Sequence, residues 1–266
     1  MTLLVTFYSA RGIIFAADSA ITITTDHKRG AERVRHEEKF LRAKQLGKTG
    51  GVVGYFGLAQ VGDESMSNWL RRTIDRWSGS PRVADFGDYL RDELNGAVPK
   101  AHRENYPSGF HIGAFESRQD KAVPILQYVT NIQSLDEQTG AYSGFVEYSS
   151  GEHFPKHPSG NGPCQTVDPS HMERALRSWE REHGLPVWFR NGELAFCWRP
   201  WHGLTWAIGD ITRNLPKFRV PDDLRKWELL ADTLVRTNAQ LYALLIKRGD
   251  PTIEPPVRST SIPWPY

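Results

Sequence analysis

Thr2-Leu3-Leu4-Val5-Thr6-Phe7-Tyr8-Ser9-Ala10-Arg11-Gly12-Ile13-Ile14-Phe15-Ala16-Ala17-Asp18-Ser19 is the stretch that decides the fold of this chain. Leu3 to Ser9 and Ile13 to Asp18 are short runs rich in β-branched and aromatic residues, and Ser9-Ala10-Arg11-Gly12 between them has the composition of a tight turn. They predict a β-hairpin that begins at the second residue.

Beyond it, Ile21 to Glu38 is polar and charged, and strand-like runs resume at Lys39-Phe40-Leu41 and Gly51-Val52-Val53-Gly54-Tyr55-Phe56, predicting a second hairpin. Met66, Trp69, Leu70, Ile74 and Trp77 recur at helical spacing, as do Phe86, Tyr89, Leu90, Leu94 and Val98 within a second helical stretch from Val83 to His102. Phe110 to Phe115 and Val123 to Val129 then read as two strands around the polar turn Glu116 to Lys121. Ser149 to Val167 has the composition of an irregular loop. Pro169 to His183 reads as a helix closed by Gly184, and Pro186 to Trp198, broken by Asn191-Gly192, as a hairpin. We therefore read one domain over 1–266 with an insertion at about 132–205. A long helix is expected from Pro221-Asp222-Asp223 to Gly249, where proline and acidic groups suit the first turn. The proline-rich tail after it is expected to be extended and partly surface-bound.

Composition excludes more than it assigns. The net charge of +2 over 266 residues argues for neither nucleic acid nor an anionic membrane as partner. The cysteines, Cys164 and Cys197, make neither a disulfide framework nor a metal-ligand cluster and read as buried thiols. The start has no basic segment leading into a long apolar run, so a soluble cytoplasmic protein is expected. His153 and His157 have a spacing seen in metal sites, but without a second ligand pair they read as loop residues. Trp179, Trp188, Trp198, Trp201 and Trp206 read as core and interface anchors.

The opening from Thr2 resembles that of proteasome β-type subunits and their bacterial relatives, including the HslV-type peptidase, Anbu and the betaproteobacterial proteasome homologue. A Thr follows the initiator Met, an apolar strand leads to a Gly-containing turn, and the second strand ends in Asp18-Ser19. The interval from Thr2 to Asp18 matches that family's interval from nucleophile to conserved Asp. Glu38-Lys39-Phe40 resembles the strand with the family's catalytic Lys, and Tyr55-Phe56-Gly57-Leu58-Ala59 its Gly-rich loop. The resemblance implies an α+β fold, a four-layer αββα sandwich with the 132–205 segment as an inserted helix plus hairpin. It further implies Thr2, Asp18, Lys39 and Gly57 as the catalytic set, and Tyr55, Ala20 and Ala59 as substrate-binding residues. The span from Asp18 to Lys39 is about five residues longer than the family's, which leaves Arg35 and Lys28 as alternatives to Lys39. The family's late Ser-Gly and Asp/Ser elements have only Ile208-Gly209-Asp210, and Arg236-Thr237-Asn238 or Asp250, as candidates.

The chemistry follows from the residue types. A threonine hydroxyl needs an adjacent base. Removing Met1 would give Thr2 its own, an α-amine whose reference pKa of about 7.7–8.0 leaves a neutral fraction near neutral pH. Lys39 would keep that amine deprotonated by like-charge repulsion and favour the alkoxide, Asp18 would hold the ammonium, and the Gly57 N–H would meet the oxyanion. The resemblance implies the activity of a threonine peptidase working through an acyl-enzyme, in a ring or helical homo-oligomer acting on peptides or unfolded proteins. No metal or organic cofactor is implied, and whether an ATP-dependent unfoldase serves as partner is left open. The alternatives are an amidase acting on a small amide with the same nucleophile, and a catalytically silent scaffold of the same fold.

Overall fold

The computed structural model describes residues 3–24, 32–135, 142–153, 171–192, 194–215, 217–245 and 257–265. The strands are β1 (Leu3–Ser9), β2 (Gly12–Asp18), β3 (Ala20–Thr24), β4 (Glu32–His36), β5 (Phe40–Ala43), β6 (Gly51–Phe56), β7 (Gln60–Val61), β8 (Glu64–Ser65), β9 (Gly109–Arg118), β10 (Lys121–Leu135), β11 (Tyr142–His153), β12 (Val187–Gly192) and β13 (Val257–Pro263). The helices are α1 (Met66–Arg76), α2 (Val83–Ala97), α3 (Lys100–Arg103), α4 (Met172–His183), α5 (Leu194–Asn214) and α6 (Leu224–Leu245).

Two antiparallel sheets, ordered β12-β1-β2-β13 and β11-β10-β9-β6-β5, form the middle layers. The first hairpin is buried on both faces, which is why its sequence is largely apolar, with Thr6 as the polar residue inside β1. Leu4, Tyr8, Ile13 and Phe15 point into the core between the sheets, while Leu3, Val5, Phe7, Ile14 and Ala16 pack with Trp201 of α5 and Trp227, Leu234 and Val235 of α6. On the far side, α1 and α2 cover the five-stranded sheet with Trp69, Leu70, Ile74, Phe86, Leu90 and Leu94. The order of layers is thus helix, sheet, sheet, helix: the four-layer αββα arrangement expected from the sequence. The sheets approach closely. A Cβ at Gly113 of β9 would stand 2.7 Å from the Phe15 ring, and one at Gly54 of β6 would stand 2.9 Å from Leu4. Burying Phe15 there contributes about 2–3 kcal/mol.

Four local expectations need correction. Leu194 to Trp198 is the start of α5 and not the return strand of a hairpin, because β12 finds its partner in β1, from Leu3 opposite Gly192 to Tyr8 opposite Val187. Trp201 draws the following helix onto that strand, with its ring 6.2 Å from Phe7 and 5.6 Å from Trp188. Ser149 to His153 continues β11 against β10, so the irregular loop does not begin at Ser149; 154–170 lies outside the described residues. The helix expected to reach His102 divides at Pro99, whose missing N–H cannot continue the ladder, into α2 and α3. The tail is extended as expected, but it is held in a sheet and not only at the surface. Its residues 257–263 pair with β2 as β13, from Val257 opposite Asp18 to Pro263 opposite Gly12, and the Trp264 ring lies 5.0 Å from Phe115.

Candidate active site

The site is built where β2, β5 and β6 end. Thr2 lies outside the described residues, but Leu3, to whose nitrogen it is bonded, donates its backbone N–H to Asp18 Oδ1 at 2.7 Å. Asp18 is the last residue of β2 and is fully buried. The hairpin register thus sets its carboxylate against the peptide that joins Thr2 to Leu3.

The long interval between Asp18 and Lys39 has a simple structural account. From Ala20 the chain leaves in β3 and returns in β4, paired from Ala20 opposite His36 to Thr24 opposite Glu32. At its base the Glu37 N–H donates to the Ser19 carbonyl at 2.9 Å. The ribbon takes up the extra length and brings residues 37–39 back beside Asp18. Lys39 is thereby brought near Asp18, whose charge acts on it; the backbone of Arg35 pairs with Ile21 within the ribbon, and Lys28 lies outside the described residues.

Lys39 is buried, and loss of hydration lowers its pKa from 10.5 to about 8, with Asp18 and then Glu37 opposing the shift. Its Nζ stands 5.2 Å from the centroid of the Tyr55 ring, and its carbonyl accepts the Tyr55 N–H at 3.1 Å. Tyr55 is wholly buried in β6, and its hydroxyl donates to Glu37 Oε2 at 3.4 Å. Burial first, and the Glu37 charge second, push its pKa up, so the hydroxyl keeps its proton. Ser67, in the first turn of α1, donates to the same oxygen at 2.8 Å. Sequence reading missed Glu37 and Ser67. The available signal was the i, i+2 spacing of Glu37 and Lys39, which in an extended segment puts two side chains on one side.

Gly57 follows β6 in an exposed turn at φ +87, and a Cβ there would stand 2.1 Å from the Pro107 carbonyl. Backbone geometry alone therefore demands glycine here. Ala59 is half-buried two residues on, and its carbonyl accepts the Met66 N–H at 2.9 Å, tying the turn to the start of α1. Ala20 opens β3 directly after Ser19. The candidates for late family elements lie in the helices: Ile208-Gly209-Asp210 in α5, and Arg236-Thr237-Asn238 in α6, where the Asn238 amide donates to the Leu234 carbonyl. Asp250 lies outside the described residues. A cleft of roughly 500 Å³, lined by Lys48, Pro81, Arg82, Glu116 and Arg118 among others, contains none of the site residues. Among the described residues no group of three or more His, Cys, Asp or Glu is placed to hold a metal ion, and no helix is long and apolar enough to cross a membrane.

No protein-family model matches this chain, and no curated protein matches it. Among solved structures it is similar to an Anbu (Gly-1) mutant from Hyphomicrobium sp. strain MC1, with 10% identity, 99% of this chain and 82% of that chain covered, and a TM-score of 0.51. It also overlaps Anbu, the ancestral beta-subunit, from Yersinia bercovieri (14% identity, 98% and 81% covered, TM-score 0.49). A third is the helical assembly of the Anbu complex from Pseudomonas aeruginosa (13%, 98% and 81%, 0.47). The first of these, with the layer order above, shows that the chain has the α+β fold of that Anbu structure.

Proposed function

We propose that this chain is a threonine-type N-terminal-nucleophile hydrolase. The observation that carries the reading is the meeting of Asp18, bonded to the Leu3 N–H, with a buried Lys39 of lowered pKa at the end of β1 where Thr2 is attached. A buried lysine beside a carboxylate is costly to maintain unless its charge is used. On this reading Thr2 becomes the first residue when Met1 is removed. Its α-amine takes the hydroxyl proton as Oγ adds to an amide carbonyl carbon, and the Gly57 N–H meets the resulting oxyanion. Collapse expels the amine, which leaves with the proton, and water then hydrolyses the ester. Tyr55 forms the floor beneath Lys39, and Ala20 and Ala59 flank the substrate.

We place the protein in the cytoplasm, as a homo-oligomer of ring or helical form acting on peptides or unfolded protein, and leave open whether an unfoldase delivers them. The segment at about 132–205 contributes on this view to contacts between copies. One observation favours a second reading, a silent scaffold: the candidates for late catalytic elements that are described lie inside the helices α5 and α6.

Intact mass before and after a peptide epoxyketone or β-lactone separates the two. Loss of Met1 together with one adduct on Thr2 is expected of the hydrolase; retained Met1 and no adduct would establish the scaffold. Turnover confined to small amides would replace the peptidase reading by an amidase.

A further inference from the structure

A buried ammonium needs more than one neighbour. It gives up its hydration, and Asp18 is already engaged by the Leu3 N–H. A second carboxylate, Glu37, reaches the tyrosine that lies under the ammonium. Glu37 is half-buried, its backbone is fixed by the 2.9 Å bond to Ser19, and its Oε2 receives the Ser67 hydroxyl at 2.8 Å and the Tyr55 hydroxyl at 3.4 Å. Tyr55 serves both partners, with its ring face towards Lys39 and its hydroxyl on Glu37. Glu38, next in the chain, is exposed and pairs with Arg71 at 3.4 Å.

We propose that Glu37 is a positioning residue: its carboxylate, oriented by Ser67 and Tyr55, is the second anion that keeps the Lys39 ammonium charged and in place in a buried site. The function of that ammonium rests on the hydrolase reading above, but the pairing itself does not. The titratable groups brought against Lys39 are Asp18 from the end of β2, Glu37 from the return of the ribbon and Tyr55 from β6. Asp18 and Glu37 both favour the charged form against burial, so removal of either carboxylate should release the proton at lower pH.

The test is a titration of Lys39 in the full chain carrying ¹³Cε-labelled lysine, its signal assigned by loss in Lys39→Arg. Glu37→Gln should lower the midpoint by roughly one pH unit or more. Tyr55→Phe and Ser67→Ala should lower it by less, and Glu38→Gln should leave it in place. In parallel, the pH at which Thr2 stops reacting with a peptide epoxyketone should fall with the midpoint. An unmoved midpoint in folded Glu37→Gln, or an equal fall in Glu38→Gln, would overturn the proposal. If Glu37→Gln does not fold, Tyr55→Phe and Ser67→Ala decide it, and no movement in either overturns it. A moving midpoint without labelling of Thr2 would support the Glu37–Lys39 pairing and overturn the hydrolase reading.

Discussion

The backbone N–H of Glu37 bonds to the carbonyl of Ser19 at 2.9 Å, and that one contact joins the segment that supplies Asp18 to the segment that supplies Lys39. Between the two residues the chain travels out and back through β3 and β4. Shortening the ribbon evenly, by removing cross-strand pairs such as Thr24 with Glu32, should leave the titration of Lys39 unchanged. Removing one residue from β4 alone shifts its register and should displace Glu37 and Lys39, read as a changed Lys39 midpoint and lost probe labelling.

Asp18 has two tasks, and they are separable. Asp18→Asn keeps an oxygen for the Leu3 N–H but removes the charge, so Lys39 should titrate lower and labelling of Thr2 should slow while the fold survives. Asp18→Ala also leaves the Leu3 N–H without this acceptor in a buried place and should cost about 1–3 kcal/mol more, measured by denaturant unfolding.

Lys39 makes stability depend on pH in a definite direction. Its folded pKa is lowered to about 8 from 10.5, so between those values the unfolded chain holds a proton that the folded chain has released. Stability contributed by this group therefore rises with pH through that window, by about 3 kcal/mol in all. The difference in unfolding free energy between wild type and Lys39→Met should narrow or reverse accordingly from pH 8 to 10. A difference flat with pH would show that burial does not shift Lys39.

Gly57→Ala should be among the costlier single changes. The positive φ and the Pro107 carbonyl 2.1 Å from the new methyl force the turn to move, at a cost of more than about 1 kcal/mol. Labelling of Thr2 should fall further than stability, since the displaced N–H no longer meets the oxyanion. Equal labelling rates in the two proteins would remove Gly57 from the catalytic set.

Residues ahead of Thr2 should abolish labelling and turnover, because they convert its amine into an amide. Thr2→Ser should keep part of the rate and Thr2→Ala none, with thermal unfolding nearly unchanged in each. Undiminished hydrolysis by a Met1-retaining form would exclude an N-terminal nucleophile.

The first hairpin was legible because burial on both faces writes itself as a largely apolar run. Lys39 was singled out by local likeness, and its distance in sequence from Asp18 made sense only once the ribbon was visible. What sequence could not show was pairing between distant segments. The aromatic stretch from Leu194 is strand-like by propensity, yet β12 already had its partner in β1. The tail's prolines suggested surface chain, but Pro263 sits at the end of an outer strand, where a missing N–H costs little. Glu37 was hidden in a run of charges, where its i, i+2 spacing to Lys39 was the one sign that set it apart from Glu38.

The pairing of Val257 with Asp18 has a consequence for the order of events during synthesis. The strand that carries Asp18 is among the first parts of the chain to be made, and the strand that borders it is made after every helix and after the whole of the second sheet. Closing so wide a loop is slow, because the entropy of bringing its ends together must be met before the contact rewards it. The nascent chain therefore holds Asp18 on an unfinished edge until residues 257–263 arrive, and the end of the hairpin where Asp18 meets the Leu3 N–H is completed late.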